Sequence, residues 1–394
     1  MGIRLANLHE TCHFLRKIGN RGIYGLSPNR GTLKILNRNG PCSTMPVTKQ
    51  THLTALAHDS LRVASIQSSV AGVPYGNDSV LLGSQVSIPA RIGLYIGTAN
   101  YVITVGFGTP TRTQTVIFDT GSNVNWIQCK PCAVTCYPQQ EPLFDPTLSS
   151  TYRNITCAAP ACLGLSSRGC SGTTCLYGVT YGDGSSTVGF LATDTFTLTS
   201  TNVINNFIFG CGQNNRGLPY SLNSQAVSTL GNIFSYCLPS TSSYTGYLNI
   251  GNPLKTNAAY TPMLTNTRAP TLYFIDLIGI TVGAAQLALS PTVFQSVGTI
   301  IDSGTVITRL PPTAYSALRT AFRAAMTQYP LAGAASILDT WIFYVISAAQ
   351  VCLAFAGNSD STQIGIIGNV QQKTFEVTYD NVAKRIGFST GACS

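Results

Sequence analysis

Histidine is scarce in this chain and is absent from everything after residue 58. The four histidines, His9, His13, His52 and His58, all lie in the N-terminal part of the 394 residues. A Ser-His-Asp triad, a Cys-His dyad or a His-ligated zinc site would have to take its imidazole from that short part. The composition therefore disfavours these three kinds of active site.

Charge is also scarce, because only 9% of the residues are Asp, Glu, Lys or Arg. Residues 1–90 carry nine basic residues against three acids, and the rest of the chain is close to neutral. No basic run exceeds the pairs Arg16-Lys17 and Lys384-Arg385. Since nucleic-acid-binding proteins present clustered basic surfaces, we do not expect nucleic acid as a partner.

Long hydrophobic runs are missing as well. Residues 1–30 lack the apolar stretch of roughly 7–15 residues that a secretory signal peptide needs. With a single acid, Glu10, they are weakly similar to a plastid transit peptide. Residues 341–356 are apolar except for Ser347 and Gln350, but they are fewer than the roughly 20 residues that cross a bilayer. We therefore expect no membrane span, and buried strands in this stretch.

The chain is rich in Thr, Ser, Gly, Val, Ile and Tyr, the residues that favour strands and turns. From residue 101 onward, short β-branched runs such as 101–105 and 115–118 alternate with Gly and Pro turns, as in sandwiches and barrels. Apolar residues at helical spacing predict helices near residues 51–66 and 312–328. We predict an all-β fold that follows a helix and a linker over residues 68–84.

Thirteen cysteines are present, and eleven of them lie between Cys129 and Cys393. A thiolate zinc site usually repeats a two-residue spacing, but the pair Cys129 and Cys132 has no second pair like it. Disulfides in an oxidising compartment are the better interpretation, which predicts the secretory pathway (extracellular or vacuolar), with a plastid as the alternative. No metal site is expected. The disulfide candidates, whose pairing the spacing leaves open, are Cys129, Cys132, Cys136, Cys157, Cys162, Cys170, Cys175, Cys211, Cys237 and Cys393.

An internal repeat is the most informative feature of the sequence. Residues 117–122 read Ile-Phe-Asp-Thr-Gly-Ser, and residues 300–305 read Ile-Ile-Asp-Ser-Gly-Thr. Such a duplication predicts two similar lobes, each with one Asp at the end of a buried strand. If Asp119 and Asp302 meet, they cannot both ionise, so one carboxyl group acts as acid while the other acts as base.

A single Asp-Thr-Gly or Asp-Ser-Gly sequence is a common turn, because an Asp side chain bonds its own backbone and Gly follows readily. Two copies with matched apolar residues before them and hydroxyl residues after them are poorly explained as turns alone. Ser122 and Thr305 can donate to the carboxylates, while Thr120 and Ser303 can hold the two loops together. The glycines permit tight loops. The predicted supporting residues are Thr120, Gly121, Ser122, Ser303, Gly304 and Thr305.

Further motifs accompany the repeat. They are Trp126-Ile-Gln-Cys129-Lys-Pro-Cys132, Tyr181-Gly-Asp-Gly-Ser185, Phe209-Gly-Cys211-Gly212, Phe234-Ser-Tyr-Cys237-Leu-Pro239 and Ile366-Ile-Gly-Asn369. With them the chain resembles the pepsin-like aspartic proteases, in particular the plant nepenthesin-like branch that includes the chloroplast nucleoid DNA-binding type. The resemblance covers most of residues 95–394. It implies a bilobal pepsin-like acid protease fold, in which each lobe contributes one catalytic Asp, Asp119 or Asp302, to a central cleft.

The resemblance also implies a hairpin flap that contacts substrate through Tyr181, Gly182 and Asp183. By itself this sequence is a hairpin turn beside an aromatic residue, which a plain surface hairpin explains equally well. The resemblance makes Trp126 the hydrogen-bond partner of the flap Tyr, although packing in the core explains a Trp at this position as well.

The resemblance divides the chain into an N-terminal and propeptide-like segment, residues 1–90, and two lobes, residues 91–260 and 261–394. Residues 31–90 are similar to a propeptide, which implies an inactive precursor and a mature chain that starts after Val86. An arm that packs permanently on the body is the alternative. The basic excess of the segment favours a propeptide, because such segments cover an acidic cleft and leave when carboxylates protonate.

Two departures from the family pattern predict missing segments. An apolar-apolar-Gly strand should cross behind the Asp119 loop, but residues 216–225 do not contain this pattern. Its second-lobe counterpart is present at residues 366–368. Another gap follows Thr340, where relatives have a cysteine, and the loss of that cysteine leaves Cys352 as the expected free thiol. We therefore predict that Asp119 lacks a supporting strand.

Two hypotheses about function follow. In the first, the protein is a monomeric aspartic endopeptidase without cofactor, in which a water between the two Asp carboxylates attacks a carbonyl of a polypeptide substrate. In the second, it is a non-catalytic protein of the same fold: an inhibitor, a binding protein or the inactive product of a truncated gene. The first is favoured, because inhibitor-like relatives usually lose a catalytic motif and this chain retains both.

Overall fold

The computed structural model describes the greater part of the chain, and the statements below concern that part. The described residues are 32–38, 52–72, 100–122, 124–181, 185–199, 202–216, 221–223, 233–241, 244–251, 257–295, 298–327, 331–332, 338, 341–344, 349–390 and 393.

Strands dominate these residues, as the composition predicts. In chain order they are β1 Thr32–Asn37, β2 Tyr101–Phe107, β3 Arg112–Asp119, β4 Trp126–Gln128, β5 Arg153–Asn154, β6 Arg168–Ser171, β7 Thr174–Thr180, β8 Ser186–Thr199, β9 Asn202–Arg216, β10 Ser221–Asn223, β11 Ile233–Cys237, β12 Thr245–Ile250, β13 Ala259–Pro262, β14 Phe274–Ile275, β15 Thr281–Val282, β16 Ala285–Gln286, β17 Thr299–Ile301, β18 Thr308–Leu310, β19 Leu331–Ala332, β20 Trp341–Tyr344, β21 Ala349–Cys352, β22 Phe355–Gly357, β23 Gly365–Ile367, β24 Glu376–Asp380 and β25 Arg385–Ser389. The α-helices are α1 His52–Ala71, α2 Pro160–Leu163, α3 Thr292–Gln295, α4 Pro312–Ala325 and α5 Asn369–Gln372. The two longer helices, α1 and α4, lie where the apolar spacing predicts helices.

The larger sheet joins strands from both ends of the chain. Its central order is β13-β25-β24-β11-β12-β1-β2-β8-β7-β6. β1 lies between β12 and β2 and is antiparallel to both, with Leu33 opposite Leu248 and Leu36 opposite Val102. Because Leu33 and Ile35 are buried, the N-terminal segment contributes a strand to the core.

The two strands that lead to the Asp motifs are built alike. β3 ends at Asp119, and β17 ends one residue before Asp302. β3 pairs in parallel with β10, and β17 pairs in parallel with β23. The pairing with β23 is the one that the sequence predicts for residues 366–368.

The strand that the sequence analysis predicts to be missing behind the Asp119 loop is present. β10 runs parallel to β3, with Ser221 opposite Ile117 and Asn223 opposite Asp119. The prediction is wrong because it requires an apolar-apolar-Gly pattern, whereas strand pairing requires only backbone donors and acceptors at the right spacing. The sequence Ser-Leu-Asn forms this strand, so Asp119 has the supporting strand that the sequence analysis predicts to be missing.

Helix α1 packs on the smaller sheet, whose order is β14-β17-β23-β18-β22. Val63, Ile66 and Val70 form the apolar face of the helix and join residues of β14, β17 and β23 in one buried cluster. Since β17 leads directly to Asp302, this packing brings the helix to the second Asp loop.

All ten predicted disulfide cysteines are paired. The disulfides are Cys129–Cys211, Cys132–Cys136, Cys157–Cys170, Cys162–Cys175 and Cys237–Cys393. They fit an oxidising compartment. The side chain of Cys352, the predicted free thiol, lies outside the described part of the chain.

Residues 341–356, predicted as strands, form β20 and β21, which pair antiparallel, and the beginning of β22. In the described ranges, no helix has both the length and the apolar character needed to span a membrane. The same residues contain no group of three or more His, Cys, Asp or Glu side chains placed to hold a metal ion.

Candidate active site

Asp119 and Asp302 meet at the junction of their two loops, where both are buried. A Cβ atom added to Gly121 would lie 2.7 Å from the carboxyl carbon of Asp302, and one added to Gly304 would overlap Asp119 Oδ1. Any residue larger than glycine would therefore push the opposite carboxylate away. The glycine that the two copies of the repeat share thus has a direct steric cause at this junction.

Reciprocal hydrogen bonds hold the two loops together. Thr120 N donates to Ser303 Oγ at 3.1 Å, and Ser303 N donates to Thr120 Oγ1 at 3.0 Å. Each hydroxyl also donates across the junction, Thr120 Oγ1 to Ile301 O at 3.4 Å and Ser303 Oγ to Phe118 O at 3.3 Å. The geometry is the one that the sequence predicts for Thr120 and Ser303.

Replacing Thr120 by Val is expected to destabilise the protein by about 1–3 kcal/mol, because the buried Ser303 N–H loses its acceptor. Thermal unfolding of the full chain measures the effect. The matched control is Thr320→Val on the exposed surface of α4, where a change within about 0.5 kcal/mol is expected. Equal unfolding temperatures for the two variants would contradict the role of this hydroxyl.

Hydroxyl and amide groups orient each carboxylate from its own loop. Asp119 accepts from Ser122 Oγ, and its Oδ1 accepts from Gly121 N at 2.9 Å. Asp302 accepts from Thr305 Oγ1, and its Oδ1 accepts from Gly304 N at 2.8 Å. The two copies of the repeat therefore build the same cradle twice, with the predicted supporting residues in equivalent positions.

A residue from outside the repeat occupies the space between the carboxylates. Arg62 Nη2, on α1, donates to Asp119 Oδ1 at 2.7 Å and to Asp302 Oδ2 at 3.0 Å and Oδ1 at 3.2 Å. Arg62 Nε also donates to Asp302 Oδ2 at 3.3 Å. One guanidinium nitrogen thus contacts both carboxylates, and the N-terminal segment blocks the dyad.

The two carboxyl groups differ in pKa. Burial raises the pKa of Asp119, but the Arg62 charge and the hydrogen bonds from Ser122 and Gly121 outweigh it, so this pKa lies below its ordinary value. The pKa of Asp302 lies above its ordinary value, because burial and the Asp119 charge outweigh the effect of Arg62. A pair with separated pKa values can supply one acid and one base.

Two more polar side chains attach α1 to the second lobe. Both oxygens of the Asp59 carboxylate accept hydrogen bonds from backbone and side chain donors that follow the Asp302 loop. The Gln67 side-chain amide pairs with Ile364 as a strand would: its Nε2 donates to Ile364 O at 2.9 Å, and its Oε1 accepts from Ile364 N at 2.8 Å. Asp59, Arg62 and Gln67 therefore hold the helix at three points along its length.

The predicted flap begins where β7 ends. Tyr181 N donates to Ser185 O at 2.8 Å, which closes a hairpin between β7 and β8. Trp126 Nε1 donates to the Tyr181 hydroxyl at 2.7 Å, and Trp126 is buried. This is the contact that the resemblance implies for the pair. Gly182 and Asp183 lie outside the described residues.

Replacing Tyr181 by Phe removes the acceptor for the buried Trp126 Nε1. Because a lost hydrogen bond costs about 0.5–1.5 kcal/mol, the free energy of unfolding should fall by about that amount. Tyr244→Phe, at a tyrosine that is 52% exposed, is the control. Equal unfolding temperatures for the two variants would mean that this hydrogen bond does not stabilise the hairpin against Trp126.

A cavity of about 850 Å³ remains beside α1. Arg62 and Ile66 of the helix line one side, and Ser122 and Tyr181 line the other. The helix therefore covers the dyad and leaves open space beside Tyr181.

Sequence reasoning misses Arg62 and Asp59 as site residues. A signal for them does exist, because they are the two formally charged residues among the 20 of α1. They stand three positions apart, so they lie on one face of the helix. That pattern alone would not have shown which carboxylates Arg62 meets.

Two family models match this chain. The family model described as Xylanase inhibitor N-terminal matches residues 101–252, and the one described as Xylanase inhibitor C-terminal matches residues 272–340 and 334–390. The second model thus matches in two pieces that overlap at residues 334–340, next to the predicted gap after Thr340.

Individual relatives and solved structures are also similar to this chain. The chain is 41% identical to an aspartyl protease family protein of Arabidopsis thaliana, over 93% of this chain and 88% of that protein. It is 32% identical to aspartic proteinase nepenthesin-1 of Nepenthes gracilis, over 76% of this chain and 79% of that protein. The crystal structure of EDGP matches with a TM-score of 0.57 and 18% identity, over 74% of this chain and 91% of that one, a likeness that concerns the fold alone.

Proposed function

Because this chain belongs to the pepsin-like aspartic proteases, with nepenthesin-like plant relatives, we propose that it is an aspartic endopeptidase made as an inactive precursor. The observation that carries the proposal is the meeting of Asp119 and Asp302 in two matching cradles, with Arg62 across both carboxylates. A guanidinium bound there takes the place that a reacting peptide and its water would need.

In the proposed reaction, Asp119 and Asp302 have different tasks. Once α1 has left, the two carboxyl groups share one proton. We assign Asp119 as the base that takes a proton from a water molecule, and Asp302 as the acid that protonates the carbonyl oxygen of the peptide bond as the water oxygen attacks the carbon. The tetrahedral diol then returns one hydroxyl proton to Asp302, and Asp119 gives its proton to the leaving nitrogen. The carbon–nitrogen bond breaks, which gives a carboxylic acid and an amine.

Acid is the proposed trigger for release of α1. The Arg62 charge lowers the pKa of both carboxyl groups relative to the same dyad without the helix, so the docked form binds protons less tightly and falling pH favours the undocked form. Asp302 protonates first, above the ordinary value of 3.8, and Asp119 protonates below it. Each protonation removes an ion pair with Arg62.

The pKa shift of Asp59 has the opposite effect on the release of α1. Burial raises its pKa, although the charges of Arg309 and Arg62 and the bonds from Val306 and Ile307 lower it in part. The docked form therefore takes up a proton at Asp59 more readily than the free helix, and acid does not release this contact. Release thus depends on the dyad.

We assign the chain divisions accordingly. Residues 31–90 serve as the propeptide, and residues 91–260 and 261–394 form the two lobes. The mature chain starts after Val86, at a position outside the described residues. Secretion to an acidic extracellular or vacuolar space suits both the disulfides and the acid trigger.

The second candidate is a non-catalytic pepsin-fold protein. It is favoured by the match to family models that are described as xylanase inhibitor domains. Against it stand the two complete Asp cradles, which a purely binding protein has no need to keep.

An activity assay separates the two candidates. The full chain is acidified to about pH 3–4, and its action on an unfolded polypeptide is followed by mass spectrometry with and without a statine-type transition-state analogue. Cleavage that the analogue blocks supports the endopeptidase. Folded protein without cleavage, after the propeptide has left, would support the non-catalytic candidate.

A further inference from the structure

The Asp59 carboxylate lies in a pocket that consists of hydrogen-bond donors. Val306 N donates to Oδ1 at 2.6 Å, while Ile307 N at 3.3 Å and Arg309 Nη2 at 2.9 Å donate to Oδ2. Asp59 and Arg309 are each only 4% exposed. Both oxygens of a carboxyl group are therefore recognised, in a site shielded from water.

The pocket is next to the dyad. Val306 follows Thr305, the residue that orients Asp302, and Arg309 belongs to β18, which pairs with β23 behind the second Asp loop. On the proposed function, α1 leaves this place before substrate enters. The buried Arg309 guanidinium then loses its ion-pair partner, which is an expensive state unless another anion replaces Asp59.

The donors select the chemical group that can replace Asp59. A carboxylate presents acceptors at both oxygens, whereas an Asn or Gln side chain presents one acceptor and turns an NH₂ group toward a donor. An amide of the same shape would thus leave one donor unpaired in a buried site, which weakens its binding relative to a carboxylate. The pocket favours acids over amides.

The position of the pocket limits which substrate residue reaches it. Asp59 and Arg62 are three residues apart on a helix, or about 4.5 Å along its axis. In an extended peptide, which rises about 3.3 Å per residue, that distance corresponds to one or two positions. We infer that Val306, Ile307 and Arg309 form a carboxylate-binding subsite of the mature enzyme, which selects polypeptides with Asp or Glu within about two residues of the scissile bond.

Paired peptides test the subsite. Peptides with Glu or Gln at each of three positions on either side of one scissile bond are given to the acid-activated full chain at about pH 5 and at about pH 6, because free Glu has a pKa of about 4.3 and burial in this pocket raises the pKa of a carboxyl group, as it does for Asp59. At one position, kcat/KM for the Glu peptide should exceed that for its Gln partner by about 10-fold or more, because bonds to charged groups contribute about 1.5–3 kcal/mol. Arg309→Met should bring this ratio close to one.

Two further variants control for an effect of misfolding on the measured ratio. Arg309→Lys retains a cation and should keep part of the preference, and Arg323→Met, at an exposed arginine of α4, should keep all of it. Because each ratio compares two peptides on the same protein sample, a loss of folded material lowers both rates and leaves the ratio intact.

Binding of the same peptide pairs with a reduced, uncleavable bond separates this inference from the proposed function. Tighter binding of the Glu peptide without any cleavage supports the subsite and overturns the endopeptidase. Cleavage at equal rates for Glu and Gln at every position overturns the subsite and leaves the endopeptidase intact. Failure to bind or cleave any peptide overturns both.

Discussion

Asp119→Asn and Asp302→Asn should each lower kcat/KM of the acid-activated protein by about 10²–10⁴-fold, the contribution that a positioned acid or base makes. Asn keeps the size of the side chain and one of its two acceptor oxygens, but it can neither take a proton from water nor give one to the peptide. Initial rates on a quenched fluorescent peptide measure the loss.

The matched control is Asp360→Asn, which makes the same change at an exposed Asp whose Oδ1 accepts from Thr362 N. Its kcat/KM should stay near that of the unmodified chain. If either dyad variant keeps most of the activity, catalysis does not depend on the pair and the proposed function is wrong.

Arg62→Gln should make the protein active without strong acid. Removing one partner of a buried ion pair costs about 3–5 kcal/mol, so docking of α1 over the dyad weakens by a factor of about 10² or more. The mutant chain is expected to cleave peptide at about pH 5 before its propeptide is lost, while the unmodified chain is still latent. Stopped-time assays with electrophoresis of the same samples distinguish activity of the intact chain from activity after processing.

Arg323→Gln removes a charge of the same kind from the exposed surface of α4 and should leave latency unchanged. Binding of a labelled statine-type inhibitor at about pH 6 gives a second reading that needs no cleavage. Equal inhibitor binding by the Arg62→Gln variant and the unmodified chain would mean that Arg62 does not close the site.

Local patterns explain most of the correct predictions. The β-branched runs separated by Gly and Pro predict the strands, and the helical spacing predicts α1 and α4. The role of Thr120 and Ser303 is also readable, because each hydroxyl stands at a fixed distance from its Asp within one short loop. β10 is missed because its residues carry no apolar pattern, and its pairing with β3 depends on backbone groups that every residue possesses.

What the sequence by itself determined is the pair of Asp loops, since the repeat contains the carboxylate, its hydroxyl donors and the glycine that lets the other loop approach. Only the tertiary structure decided what faces that pair. Arg62 reaches Asp302 across 240 positions of the chain, and Asp59 reaches Arg309 across 250. Contacts of that kind depend on how α1 packs over β17 and β23, where apolar burial holds the helix on the sheet and the ion pairs between distant parts of the chain add to its stability.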